Sequence, residues 1–389
     1  MINKSFWKGK RVLITGHTGF KGGWLSIWII NLGAQVIGYS LSPITKNNFF
    51  DQTKIKKIFK KNYIKNIQNI NDLEKCITTC KPQIIFHLAA QSQVLESYIQ
   101  PLDTVRTNVV GTANLLEISR KKKFVKSIII VTTDKVYKNL EKNIRFEENS
   151  CLGGDDVYSA SKASADLLSL SYIKSFFGNS TCNVATVRAG NCIGGGDWTK
   201  FRILTDSMQA FLNNRKLVVR NPNAKRPWQH VLEPLAGYIL LAQKLYGKRG
   251  FKFSGTWNFG PKRQNHLTVM QFTKAIRSKL NSKSKILIQK TRDKREKMSL
   301  DLNSKKANRK LKWKSFLNLD KTISLTSDWY LANKQRKDMF KISSEQIKEF
   351  MNFYKLECGK LRIDYVPIST DQTLDVALSE YLLKRKKLN

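Results

Sequence analysis

Histidine is rare in this chain and scattered, at His17, His87, His230 and His266. No group of them has metal-ligand spacing, so no metal site is expected. The six cysteines are Cys76, Cys80, Cys151, Cys182, Cys192 and Cys358, and they show no paired spacing. Cys76 and Cys80 lie one helical turn apart, which suits packing better than bridging. A disulfide framework is not expected, and a reduced, cytoplasmic compartment fits. Long apolar runs are missing too. The stretch Trp24–Ile30 is short and breaks at Asn31, well under a bilayer span. The start, Met1–Ser5, lacks the apolar core of a secretory signal. Neither a membrane segment nor a leader is expected, and no internal repeats are found.

Acidic residues are few: 29 Asp and Glu face 69 Lys and Arg, for a formal charge of +40 over 389 residues. Such a balance could serve nucleic acid or an anionic surface. The lysines are spread along the chain, however. Only short runs stand out, at Lys121–Lys123 and Lys384–Lys387. That spread fits a Lys-rich, Asn-rich, Ile-rich bias of composition better than a nucleic-acid patch, and a positive field would also help collect a phosphate-bearing substrate.

What is present is a series of short, continuously apolar runs. Arg11–Thr15, Gln35–Tyr39, Ile84–Leu88, Ser127–Val131 and Asn183–Val187 read as strands. Helical stretches separate them, among them about Gly23–Leu32, Leu102–Ser119 and Val157–Phe176. Runs without alternation argue for a parallel sheet covered on both faces. The first run leads straight into Gly16-x-x-Gly19-x-x-Gly22 and a helix. That is a dinucleotide-binding βαβ unit: glycines allow the tight turn, and the helix N-terminus faces the pyrophosphate. After Arg188 the pattern changes to a Gly-rich stretch, 190–197, followed by Arg202, Arg220 and Arg226. Helices are expected at Val231–Leu245, Thr268–Leu280 and Ser304–Leu311, with a strand-turn element at Gly255–Pro261. A basic tail runs over Asp371–Leu388.

Two residue pairs carry chemistry. Tyr158 and Lys162 are spaced i, i+4 and share a helix face. A lysine ammonium beside the phenol would draw its pKa down, so Tyr158 could take a hydroxyl proton as hydride leaves the same carbon. Thr133 would hold that hydroxyl in register. Asp134 and Lys135 follow Thr133 at the end of an apolar strand. Ends of parallel strands face the ligand crevice. An acid and a base there suit proton abstraction followed by loss of water; by themselves they could equally be solvated loop residues. An acid expected at the end of the second strand, to bind a ribose, is replaced by Ser40 and Ser42. This position therefore does not separate NAD from NADP.

These residues sit in longer phrases. They are Thr15–Gly22 (TGHTGFKG), His87–Gln91 (HLAAQ), Thr107–Thr112 (TNVVGT), Thr133–Tyr137 (TDKVY), Arg188–Trp198 (RAGNCIGGGDW) and Arg226–Val231 (RPWQHV). Together they resemble the extended short-chain dehydrogenase/reductase family, and within it the CDP-glucose 4,6-dehydratase branch. The likeness spans roughly residues 6–355. It implies an α/β fold, with a Rossmann-type doubly wound parallel sheet and a smaller α/β substrate-binding lobe. The first would take 1–187 and about 229–258, and the lobe 188–228 and 259–356, with 357–389 an extension.

The resemblance also implies NAD as cofactor. Gly16, His17, Gly19, Phe20 and Gly22 would lie along it, with Asn66 and Ile67 at the adenine. Leu88, Ala89, Ala90 and Gln91 would lie by the ribose. Asn108 would complete an Asn-Thr-Tyr-Lys proton network with Thr133, Tyr158 and Lys162. Asn191, Arg202, Arg220, Arg226 and Asn258 would surround a nucleotide sugar, CDP-glucose. Arginine forks suit diphosphate because they pair with two oxygens at once. A homodimer through the helices near Leu102–Ser119 and Val157–Phe176 is implied as well. Asn66 stands where the family usually has Asp, Leu95 where a polar residue is expected, and Val157 where Pro often precedes the tyrosine. The rivals are a nucleotide-sugar 4-epimerase, which has no use for Asp134 and Lys135, and a non-catalytic basic Rossmann protein that binds RNA or a membrane.

Overall fold

The computed structural model describes residues 1–139, 144–262, 265–289 and 300–360. The expected tail at Asp371–Leu388 lies outside them. Seven parallel strands form the central sheet: β1 (Arg11–Thr15), β2 (Gln35–Ser40), β3 (Lys61–Ile64), β4 (Ile84–His87), β5 (Ser127–Val131), β6 (Asn183–Ala189) and β7 (Gly255–Phe259). Their order across the sheet is β7-β6-β5-β4-β1-β2-β3. All the pairings are parallel; Leu13, for example, stands opposite Ile37 on one side and Ile85 on the other. The order reverses between β1 and β4, and a crevice at such a switch point is where α/β sheets hold ligands.

Aliphatic side chains on both faces explain why these runs form buried strands. Leu13, Ile37, Ile85, Ile128, Ile130 and Val184 pack on one face against Leu73 and Ile77 of helix Ile70–Cys80 and Leu115 and Leu116 of helix Gly111–Arg120. Cys76 and Cys80 are free and join this layer, as packing residues should. The other face carries helix Phe20–Asn31, buried through Trp24, Ile27 and Trp28, and helix Leu232–Tyr246, buried through Leu235 and Ile239.

Several details depart from the expected elements. The first helix starts at Phe20 rather than about Gly23, so the glycine turn runs into it without a linker. The helix expected over Leu102–Ser119 opens into a wide π turn at Arg106–Val110, centred on buried Asn108. Such bulges collect at functional sites because they re-aim a side chain. Strand β3 has only the polar run KNYI, half-exposed at the sheet edge, and shows no apolar pattern. Helices Leu319–Lys334 and Met339–Lys360 were not expected either. Residues Ile2–Ile347 form one compact unit, and a second begins at Lys348.

Candidate active site

Loops after four neighbouring strands, β6, β5, β4 and β1, supply most of the site. After β1, Gly16 adopts φ 73°, which only glycine enters without strain. A Cβ there would lie 2.6 Å from the Ala89 nitrogen, so the glycine turn and the β4 loop touch through backbone alone. A Cβ on Gly22 would be driven into the Gly16 carbonyl oxygen. The helix from Phe20 to Asn31 therefore starts hard against the turn, with its first N–H groups and its dipole aimed over the crevice. The cradle has the shape and polarity for a pyrophosphate. Below it, Thr15 Oγ1 pairs with His87 Nδ1 at 2.8 Å and accepts from Ala89 N at 3.2 Å.

The catalytic candidates converge on the end of β5. Thr133 donates to Asp134 Oδ1 at 2.9 Å, and its hydroxyl also acts on the Tyr158 phenol, drawing it down against burial. Tyr158, Thr133 and Asp134 thus gather at one place, where each acts on the next. Asp134 is buried, and burial pushes its carboxyl above the ordinary range against the pull of Lys135, Thr133, Lys21 and Arg226. Lys135 is exposed at the mouth of the same turn. Tyr158 and Lys162 both lie on the buried side of helix Val157–Tyr172, capped by Asp156.

The electrostatics of that pair differ from expectation. Burial holds the Tyr158 phenol up, at about 12, and Lys162 is not among the groups that draw it down. The Lys162 ammonium donates to the Val131 carbonyl at 2.8 Å. Burial lowers Lys162 itself to about 8.

Other expected residues divide into those at the crevice and those behind it. Asn108 donates to Ser161 Oγ at 2.9 Å and to the Gln91 carbonyl at 3.0 Å, and accepts from Gln91 N at 2.9 Å. It ties the β4 loop, Leu88–Gln91, to the tyrosine helix. His17 is turned away from the crevice: its ring is buried between Phe50 and Phe59 and bonds Asn62, and burial lowers it to about 4. Only its backbone is left for a ligand. Phe20 packs toward Gly194, where a Cβ would meet its ring at 3.2 Å. Asn66 accepts from Gln68 N at 3.0 Å, beside buried Ile67.

Among the substrate candidates, Asn191 is exposed after β6. Arg202 pairs with Asp197 at 2.7 Å and its charge acts on Tyr158; that of Arg226 acts on Asp134. Arg220 stands elsewhere, on a cavity of about 680 Å³ lined also by Trp198, Asp206, Asn213, Arg215 and Lys216. Asn258 is not brought into the crevice. It is fully buried, accepts from Tyr137 Oη at 2.7 Å and donates to the Phe146 carbonyl at 2.9 Å. A second cavity, of about 440 Å³, opens beyond β2 and is lined by Ser42, Lys46, Asn48, Lys56 and Asn62.

Three groups at the centre were missed. Lys21, Cys192 and Asp197 stand inside phrases read for their glycines and arginines, and nothing in their spacing marked them. Lys21 is half-buried, and its charge acts on Cys192, Asp134 and Lys162.

A parallel sheet of this order, a glycine turn at its first strand and a Thr/Tyr/Lys group at its fifth define a short-chain dehydrogenase/reductase scaffold. The family model for GDP-mannose 4,6 dehydratase matches residues 13–326, and the chain belongs to that family. It is 40% identical over 357 residues to the CDP-glucose 4,6-dehydratase of Salmonella typhimurium, covering 90% of this chain and 99% of that protein. It is 31% identical over 257 residues to the dTDP-D-glucose 4,6-dehydratase of Dictyostelium discoideum, covering 63% of this chain and 58% of that one. Among solved structures, the dTDP-glucose 4,6-dehydratase of Streptomyces venezuelae with NAD and TYD bound superposes with a TM-score of 0.73 at 22% identity, covering 85% of this chain and 99% of that one. The UDP-glucose 4-epimerase of Thermotoga maritima with UDP-glucose gives 0.73 at 21% identity, over 84% and 99%. These two likenesses establish the fold. Among the described residues, no helix is long and apolar enough to cross a membrane.

Proposed function

We propose that this protein is a hydro-lyase, an NAD-dependent CDP-glucose 4,6-dehydratase that makes CDP-4-keto-6-deoxyglucose. The observation that carries the reading is the gathering of Tyr158, Thr133 and buried Asp134 at the end of β5, with Lys135 next in the chain. An oxidation at one sugar carbon and an elimination two carbons away need two proton-handling centres around one ring, and this site supplies them. The 40% identity to a CDP-glucose enzyme over nearly its whole length supports the nucleotide.

The glycine cradle fits NAD, because side chains are excluded where its pyrophosphate would lie. Gly16, Gly19 and Gly22 would hold it, with the Leu88–Gln91 loop and Asn66–Ile67 on the adenosine side. Bound NAD supplies a hydride acceptor, a hydride donor for the return, and a pyridinium charge that draws the Tyr158 phenol down. Tyr158 removes the proton of the 4-hydroxyl, and Thr133 positions that hydroxyl. The resulting ketone acidifies carbon 5. Lys135, as the neutral amine, takes the proton there while Asp134, in its protonated form, gives one to the departing 6-hydroxyl, and water leaves. Reduction at carbon 6 and reprotonation of carbon 5 close the cycle with no net use of cofactor. Arg202, Arg226 and Asn191 would grip the sugar diphosphate, and the cavity beside Arg220 would take the nucleoside end. The lobe of 188–228 and 259–356 would carry most of these contacts.

Two measurements test this. The purified protein, given CDP-, dTDP-, UDP- and GDP-linked hexoses, should form base-sensitive ketone absorbance with CDP-glucose. Run in deuterium oxide, the product should carry solvent label at carbon 5. A 4-epimerase would leave carbon 5 unlabelled. Gly16→Ala should weaken dinucleotide binding about tenfold or more in equilibrium titration, since a non-glycine residue at this φ costs roughly 1–3 kcal/mol.

A homodimer belongs to the same reading. Leu102, Val105, Leu167 and Phe176 are exposed apolar side chains on the helices spanning Pro101–Arg120 and Val157–Phe177. Pairing of these helices across a two-fold axis would bury them.

A further inference from the structure

His87 is the last residue of β4, and both nitrogens of its buried ring are taken. Nδ1 stands 2.8 Å from Thr15 Oγ1, and Nε2 stands 3.1 Å from Thr112 Oγ1. Thr15 is its neighbour in the sheet and the last residue of β1, just before the glycine turn. Thr112 lies at the start of helix Gly111–Arg120, directly behind the π turn that holds Asn108. Thr15, Thr112 and Asn108 are buried as well.

These partners fix which ring nitrogen carries the proton. The Thr112 hydroxyl donates to the Asn108 carbonyl at 2.7 Å, and a carbonyl can only accept. With its proton spent, Thr112 must accept from His87, so Nε2 bears the hydrogen. At the other end, Thr15 Oγ1 accepts from Ala89 N at 3.2 Å and still has a proton to give, which the bare Nδ1 takes. The opposite tautomer would aim two N–H groups at Thr15 and leave Nε2 facing a hydroxyl with no proton to offer. Burial, with the charge of Lys162 second, lowers His87 to about 3, so the ring stays neutral near pH 7.

A directed line of donors therefore runs from the Ala89 amide through Thr15, His87 and Thr112 to the Asn108 backbone. The Asn108 side chain continues it. It donates to Ser161, whose hydroxyl donates to the Tyr158 carbonyl at 2.7 Å, and it binds the Gln91 backbone on the cofactor side. A wide turn of this kind is rare in helices, and here the sheet holds it at its centre.

We infer that His87 is a positioning residue for the oxidation step: through Thr112 it keeps the Asn108 turn in register with the glycine turn, and so sets Tyr158 against the dinucleotide cradle. The inference rests on the reading of the site as an NAD-using dehydratase. The ring moves no proton itself, since both its nitrogens are spent on threonines. Its loss would leave Thr15 and Thr112 each short of a partner and free the turn to shift.

The test uses the full-length protein with NAD and CDP-glucose, unlabelled and deuterated at carbon 4. His87→Phe keeps a flat ring and loses both bonds. It should lower kcat about 10–100-fold, the effect of a misplacement of about 1 Å at a reacting centre. KM should change little, and the carbon-4 isotope effect should rise because hydride transfer becomes the slow step. His87→Gln puts an amide N–H where Nε2–H stood and should recover most of kcat. His87→Asn, which reaches Thr15 alone, should not. The chain has four histidines, so nitrogen NMR of histidine-labelled protein can resolve them. The signals lost in His87→Gln should show Nδ1 bare and Nε2 protonated. Unchanged kcat and isotope effect in His87→Phe would overturn the inference, and so would a protonated Nδ1. Equal loss in His87→Gln and His87→Asn would also overturn it, because it would mean packing rather than hydrogen bonding. Should His87→Phe fail to fold, Thr112→Val cuts the same link and Thr112→Ser keeps it, with the same outcomes expected. Wild type that forms no ketone from CDP-glucose would instead remove the dehydratase reading, and this inference with it, whatever the tautomer.

Discussion

Lys135→Met should stop the release of water while sparing the oxidation that precedes it. With CDP-glucose the variant should still build up reduced-cofactor absorbance near 340 nm in a single turnover. Ketone product should form on the order of 10²–10⁴ times more slowly, the usual worth of a positioned base. Incorporation of solvent deuterium at carbon 5 should fall in proportion. Asp134→Asn should give the same split from the acid side. The pH dependence then follows in sign. Burial raises the Asp134 carboxyl, so its proton persists to a higher pH than on a free aspartate. Turnover that needs this acid is present below the raised pKa and lost as pH rises through it. Asp134→Asn should be slow throughout and should lack that alkaline limb. Full turnover by Lys135→Met would defeat the assignment, since oxidation alone needs only Thr133, Tyr158 and Lys162.

The parts of this site that could be read from sequence are those whose chemistry forces a pattern. A pyrophosphate turn needs glycine at set intervals, so Gly16, Gly19 and Gly22 were legible. A strand buried on both faces must be continuously apolar, so β1, β2, β4, β5 and β6 were legible to within two residues at their ends. Tyr158 and Lys162 were legible because one helix turn separates them. The residues that were missed or misplaced depend on which way a side chain turns. His17 lies between two glycine-turn residues yet points into an aromatic pocket, because Gly38 leaves room for its ring: a Cβ there would lie 2.5 Å from it. Asn258 ends a strand that borders the crevice, but its amide is spent on Tyr137 and Phe146. Lys21 looked like filler between two glycines. Only the fold brings its charge to act on Asp134, Lys162 and Cys192, all far along the chain. The rise of the Tyr158 phenol is tertiary as well, since it comes from burial in the folded chain.

Arg188→Met should be among the most destabilising single changes in the chain. Arg188 and Asp166 form an ion pair with side chains 1% and 0% exposed. The guanidinium donates from Nε and Nη2 to the two carboxylate oxygens, at 2.8 and 2.9 Å, and from Nη1 to Tyr137 Oη at 2.7 Å. Asp166 also accepts from Thr132 at 2.9 Å and from Thr186 at 3.0 Å. The carboxylate thus ties the tyrosine helix to the ends of β5 and β6. Removing the arginine leaves it charged, buried and short of partners, at a cost of roughly 3–5 kcal/mol. In a unit of this size that should lower Tm by about 4–7 °C, read by calorimetry. Asp166→Leu together with Arg188→Met should recover part of the loss, because no lone charge remains buried. Activity should not recover with it. Thr132 precedes the catalytic Thr133, and without Asp166 the turn that aims Thr133, Asp134 and Lys135 at one sugar ring loses its fixed point.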